Sequence, residues 1–243
     1  GYPVIPSRGF GPAPQGEDPA WPRSSSRGSS LPRAMATGRT QLLPTHLVEH
    51  LLMDAGGDKA TGVVAVDQTN GNRRELKADL VVLAASTIQT VSILLRSRRG
   101  EQSNGLEDPS GRLGTRLMDH VSTSQFFAFP ERVQEEQPPL TGAGSFFVPF
   151  GRHMPSARFQ GGYGLWGGVG RFDPPQWLRR RPSSITGFLI GHGEVLPKAE
   201  NRVTLSERRD RWGVRVPSIA CRWSSNELAM VRHMRASIQA CID

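Results

Sequence analysis

The chain has 243 residues, 37% of them hydrophobic, so it can bury a core as one large domain or two small ones. Thirty basic against 22 acidic residues give a net charge of +8, which leaves an anionic partner open. No apolar run reaches the roughly 18 residues a spanning helix needs, and two cysteines, Cys221 and Cys241, make no disulfide framework.

Residues 1–30 are rich in Pro, Gly, Ser and Arg and carry few large apolar side chains to offset the entropy of ordering. A loop or disordered segment is expected there. The opening GYPVIPSRGFG has no positively charged stretch followed by an apolar one, so it does not read as a secretory signal. It begins without Met and reads as the interior of a longer protein.

From Gln41 the pattern changes. Leu47–Met53 reads as a strand, Asp54–Asp58 as a turn and Thr61–Val66 as a second strand. Asn70-Gly71 signals a tight primed hairpin turn with positive φ at both central residues. Arg73–Ala78 then completes a three-stranded meander, with Leu76 and Ala78 on one face. Leu80–Ala85 (LVVLAA) is apolar throughout, as expected of a central parallel strand buried on both faces. Ser86-Thr87 offers an N-cap to a helix with Ile88, Val91, Leu94 and Leu95 on one face.

Residues 121–200 combine short apolar runs, many glycines and the doublets Phe126-Phe127 and Phe146-Phe147, which suits an antiparallel sheet. Ser224-x-x-Glu227 is a capping box. Leu228, Val231, Met234, Ile238 and Cys241 follow at helical spacing, making Cys241 a buried free thiol. The fold class is α/β, or α+β overall.

Gly162-Tyr-Gly164-Leu-Trp-Gly167 matches GxGxxG literally. It lacks a preceding buried strand, and Pro174-Pro175 forbid a helix close behind, so a phosphate loop is not expected. His46, His50, His120, His153, His192 and His233 form no compact ligand set, so no metal is expected. His46 and His50 read as partly exposed strand residues, and His192 with Glu194 as a loop at a strand end. No GxSxG elbow supports hydrolase chemistry. Basic residues fall in short clusters, such as Arg96, Arg98 and Arg99, with no long stripe interleaved with aromatics, which disfavours nucleic acid. The two cysteines fit a reducing, cytoplasmic compartment.

Leu80–Ser97, then Asn104–His120 with its Gly-x-x-Leu-Met-Asp-His ending, then Gly193–Trp223 with E-x-x-P-x-x-x-N-R-V-x-L and D-x-W-G-x-x-x-P form a set in this order. Together these three stretches resemble the glucose–methanol–choline (GMC) oxidoreductase family. The resemblance spans roughly residues 31–243. It implies a partial Rossmann-like FAD-binding domain with a β-meander over 31–120 and an antiparallel-sheet substrate (cap) domain over 121–200. Residues 201–243 would be a strand and helix leading to a C-terminal part. The implied activity is choline dehydrogenase-like: oxidation of a small-molecule alcohol, with hydride transfer to FAD.

The same resemblance implies cofactor contacts at Val48, through its backbone amide and carbonyl on the adenine, and at the small-residue turn Ala84, Ala85 and Ser86. Ser86 stands where family members often carry Gly. Asp119-His120 would be a charged pair anchoring the passage between domains. No catalytic residue is assigned, because none of the six histidines matches the family's general base. Neither the N-terminal GxGxxG unit nor the C-terminal catalytic region is recognisable, so an internal section inactive alone is expected. The competing readings are a non-catalytic remnant or subunit that needs another chain, and a basic nucleic-acid-binding module. An isolated Leu80–Ala85 strand would expose its edges and faces, favouring a complementing chain or self-association.

Overall fold

The computed structural model describes residues 5–6, 26–98, 106–133, 145–149, 158–169, 176–177 and 184–243. In chain order its elements are β1 (Ile5–Pro6), α1 (Ser30–Ala36), β2 (His46–Met53), β3 (Ala60–Asp67), β4 (Arg73–Lys77), α2 (Ser86–Arg96), β5 (Val121–Val133), β6 (Ser145–Val148), β7 (Tyr163–Val169), β8 (Ser184–Gly193), β9 (Arg202–Arg209), β10 (Arg215–Ala220) and α3 (Ser225–Ile242). The class is mixed α/β, as expected. The chain divides into a meander unit, residues 31–117 and 197–222, and a sheet–helix unit, residues 1–30, 118–196 and 223–243.

In the meander unit β2, β3 and β4 pair antiparallel in that order, and β3, with strands on both sides, buries Val64, Ala65 and Val66. The hairpin at Asn70-Gly71 forms, but not through the tight turn expected. Only Gly71 takes a positive φ, +79°, and the loop is instead organised by Asp67. The Asp67 carboxylate accepts hydrogen bonds from the Thr69 N–H and hydroxyl and from the Asn70 amide, which also hold its pKa below the usual carboxylate value.

The largest departure from expectation is Leu80–Ala85, which forms no strand. Leu80 is 79% and Val82 77% exposed, because no strand among the described residues offers this segment a ladder. The helix after it also turns a different face inward. Ser92, Ile93 and Arg96 of α2 are buried, while Ile88, Val91, Leu94 and Leu95 are half-buried, and no side chain caps its start.

Arg96 is a tie rod. Its Nε donates to the Glu49 carbonyl at 2.6 Å and its Nη1 to the Arg215 carbonyl at 3.2 Å. Burial lowers its pKa, opposed by the charges of Glu49 and Asp210. Two further residues join the meander to the hairpin of β9 and β10. Arg73 grips the Glu49 carboxylate with two hydrogen bonds, 2.8 and 3.0 Å, and donates to the Trp212 carbonyl. The Trp212 indole donates to the Gln68 carbonyl. The Asp210-x-Trp212-Gly213 motif is therefore a turn: Asp210 Oδ1 accepts from the Trp212 and Val214 amides, each at 2.9 Å.

In the sheet–helix unit five antiparallel strands lie in the order β1-β6-β7-β8-β5. β1 corrects the expectation of loop throughout 1–30, since Ile5 and Pro6 pair with Phe147 and Phe146. Residues 1–4 and 7–25, His153 and Pro174-Pro175 lie outside the described residues. The literal GxGxxG sits in and beside β7, as strand glycines rather than a phosphate loop.

Helix α3 begins at the expected capping box and buries Met230, Val231, Met234 and Ile238 against Val121, Leu165 and Leu189. Leu228 and Cys241 are exposed instead of buried: both fall to the side of the face that meets the sheet. Partial burial still raises the Cys241 thiol pKa. The close approach of α3 rests on glycines of β8. A Cβ at Gly191 would overlap Met234 Sδ and Cγ and press on Leu165 Cδ2 at 3.0 Å. Gly191→Val is expected to lower stability by about 3 kcal/mol, the upper end of overpacking costs. A urea midpoint unchanged from the parent would refute that packing.

Candidate functional site

Two regions answer to the residues that the sequence singles out. Each belongs to one unit, and they are described separately.

The first is the outer edge of β2. The Gln68 N–H donates to the Thr45 carbonyl at 2.9 Å, so Thr45 and Gln68 form a hydrogen-bonded pair. Hydrogen-bonded and non-hydrogen-bonded pairs alternate along an antiparallel ladder. Leu47 therefore exchanges hydrogen bonds with Val66, and Val48, opposite Ala65, turns its N–H and C=O away from β3. A bulge follows, with Glu49 as the extra residue between Val48 and His50. Beyond it α2 covers the edge: Arg96 takes the Glu49 carbonyl, and Ser97 Oγ accepts from the Leu51 N–H at 2.8 Å. By the same parity His46, opposite Asp67, and Val48 both present their backbone groups along this outer edge.

Ala84, Ala85 and Ser86 form an exposed turn into α2. Ser86 has φ +63°, a left-handed conformation that costs a non-glycine residue about 1–2 kcal/mol. This explains why glycine suits the position. Ser86→Gly is expected to raise stability by roughly 0.5–1 kcal/mol after glycine's own entropic cost is deducted, read as a higher urea midpoint. The structure does not cluster this turn with Val48. The far end of α2 meets β2 through Arg96 and Ser97, so the 11-residue helix sets the turn about 15 Å further along.

The second region is the sheet face turned away from α3. Odd-numbered residues of β5 and β8 meet α3: Thr123 and Gln125 bond Arg235 and Gln239, and Leu189 joins the core. Even-numbered ones therefore point the other way. There Trp166 stacks on His192 with ring centroids 6.2 Å apart, and its ring meets Phe188 edge-on at 5.2 Å. His120 approaches His192 edge-on at 5.7 Å. Burial, with a smaller contribution from His120, lowers the His192 pKa and so favours the neutral imidazole.

Three readings change here. His192 lies within β8 rather than in a loop, and Glu194 is engaged elsewhere, accepting from the Gly162 N–H at 2.8 Å. His50 is buried instead of partly exposed. Asp119 and His120 stand as a pair, Nδ1 to Oδ1 3.9 Å, but with both side chains largely exposed burial does not anchor them. Just before them in the chain, Leu117 is tied down by buried Asn201, whose carbonyl accepts from the Leu117 N–H and whose amide side chain brackets Arg222.

Residues 7–122 match the profile of a family described as GMC oxidoreductase. Over that stretch, a little under half of its length, the chain is similar to GMC oxidoreductases. It is also similar to the 2-methyl-1,2-propanediol dehydrogenase of Mycolicibacterium austroafricanum, 37% identical over 90 residues. That alignment covers 37% of this chain and 16% of the relative. Val48, Ala84, Ala85 and Ser86 fall inside the stretch matched to the GMC profile, and Trp166 and His192 beyond it. Sequence reasoning missed the aromatic face because its only signal, alternation along β5 and β8, acquires meaning once α3 is known to cover the other side. No helix among the described residues is long and apolar enough to cross a membrane.

Proposed function

We propose that the chain is part of an FAD-dependent GMC oxidoreductase acting on a small alcohol, and that the open edge at Val48 holds the adenine end of FAD. The observation that carries this reading is the register of β2. It leaves one backbone donor and one acceptor side by side and unused by β3, which suits the donor–acceptor edge of a purine. The turn Ala84–Ser86 supports it by carrying small side chains where a backbone would approach the cofactor. When bound, FAD supplies the hydride acceptor.

Residues 31–120 are then the FAD-binding part and 121–200 the substrate part, with residues 201–243 continuing toward further cofactor and substrate contacts. On the face of β7 and β8, Trp166 and Phe188 would exclude water from an alcohol's apolar body. Neutral His192 would accept a hydrogen bond from its hydroxyl. The relative's name makes 2-methyl-1,2-propanediol the first alcohol to try. Two exposed, free cysteines suit a reducing compartment, and the cytoplasm is the proposed location.

A second reading is favoured by the exposure of Leu80 and Val82: the chain works only when another polypeptide segment covers residues 80–85. The deciding experiment is the visible absorption of the purified chain after incubation with FAD and desalting. Flavin retained in proportion to protein supports cofactor binding by this chain. A colourless protein that also elutes as a monomer would overturn it and leave the second reading.

A further inference from the structure

The meander unit carries another concavity, of about 480 Å³, between the end of α2, the loop Gly111–Thr115 and β9. The loop is pinned by Gly114, φ +80°, which lies so close to β9 that a Cβ there would overlap the Val203 carbonyl oxygen. Leu95, Leu113 and Leu205 give the concavity an apolar lining, and Arg98, Arg202 and Arg215 line it as well.

The three arginines differ in what they have left to give. Arg215 is committed, donating to the Ser206 and Leu205 carbonyls and pairing with Glu207 at 3.2 Å. Among the described residues Arg202 engages its Nε alone, on the Ala199 carbonyl. Arg98 feels the charge of Asp108, but that carboxylate already accepts from the Ser110 hydroxyl at 2.9 Å and the Leu113 N–H at 3.0 Å. Among the described residues no carboxylate forms an ion pair with Arg98 or Arg202. The negative end of α2 is partly quenched, since the Ser97 and Arg98 amides close on its last carbonyls.

Two uncommitted guanidiniums beside an apolar lining of ligand-sized volume call for an amphiphilic anion. We propose that this concavity binds a phosphate monoester with a compact apolar body. Three strongly accepting oxygens and nearly two negative charges match two forked donors better than one carboxylate does. The exposed Thr204 hydroxyl adds a donor at the same rim.

The test is titration of the full chain with phenyl phosphate by calorimetry, with inorganic phosphate and phenol as comparators. Saturable one-to-one binding is expected, tighter than for either comparator. Arg98→Gln and Arg202→Gln, both at exposed positions, should each weaken it about tenfold. Arg232→Gln, on α3, should leave it unchanged. Equal affinity in the Arg98→Gln/Arg202→Gln double variant would show attraction to the basic chain as a whole and overturn the site. Phenol or inorganic phosphate binding as tightly as phenyl phosphate would overturn the ligand class.

Discussion

Moving a proline one residue along β2 is expected to change the result from loss of fold to loss of cofactor. In Leu47→Pro the missing N–H is the one that the ladder register pairs with Val66. Proline there removes a ladder hydrogen bond and leaves the Val66 carbonyl without its donor, costing about 1–3 kcal/mol. In Val48→Pro the missing N–H points outward, where an edge strand tolerates proline. That variant should unfold within about 1 kcal/mol of the parent yet retain less FAD after desalting. Urea unfolding of the two variants tests the register by itself. If both unfold alike, the pairing of Leu47 with Val66 is wrong. If Val48→Pro is folded and keeps as much flavin as the parent, the adenine does not sit on this edge.

The second large effect is expected at Glu227. This carboxylate is fully buried, with 0% of its surface exposed, and gathers four donors. They are the Ser224 N–H and hydroxyl, each at 2.6 Å, and the Leu196 N–H and Asn226 amide, each at 3.2 Å. It closes the capping box of α3 and also fixes the chain leaving β8. Glu227→Ala strands buried donors, each costing about 1–3 kcal/mol, beyond the loss of the cap. A total of about 4 kcal/mol is expected. Glu227→Gln keeps one acceptor oxygen and should fall between the two. A Glu227→Ala chain whose urea midpoint stays within error of the parent would sink this account.

Features set by neighbouring residues are legible in the sequence itself. Asn70-Gly71 marks a hairpin, and Ser224-x-x-Glu227 marks where α3 begins. The details that escape it depend on more distant partners. The hairpin turn is decided by Asp67, whose carboxylate outbids the tight turn by collecting three donors. Arg96 lies among apolar residues at helical spacing, and nothing local says that it is buried. Its partners are the carbonyls of Glu49 and Arg215. Leu80–Ala85 has the composition of a covered strand, but composition reports a need for neighbours, not their presence. At Val48 the side chain carries no signal. Its significance comes from the parity of a ladder, which one bond between Gln68 and Thr45 sets.

The path of the chain through the two units has a consequence for its synthesis. The meander is made early, yet the acceptor at residue 215 that Arg96 needs lies 119 positions further on. The Gln68 carbonyl waits 144 positions for the Trp212 indole. At typical elongation rates that is on the order of ten seconds. For that time the nascent meander holds a guanidinium without its Arg215 acceptor and a Gln68 carbonyl without its indole donor. Newly made chains are therefore most exposed to chaperones and proteases in this interval, and slowing translation between residues 98 and 215 should lower the yield of folded protein more than slowing it elsewhere.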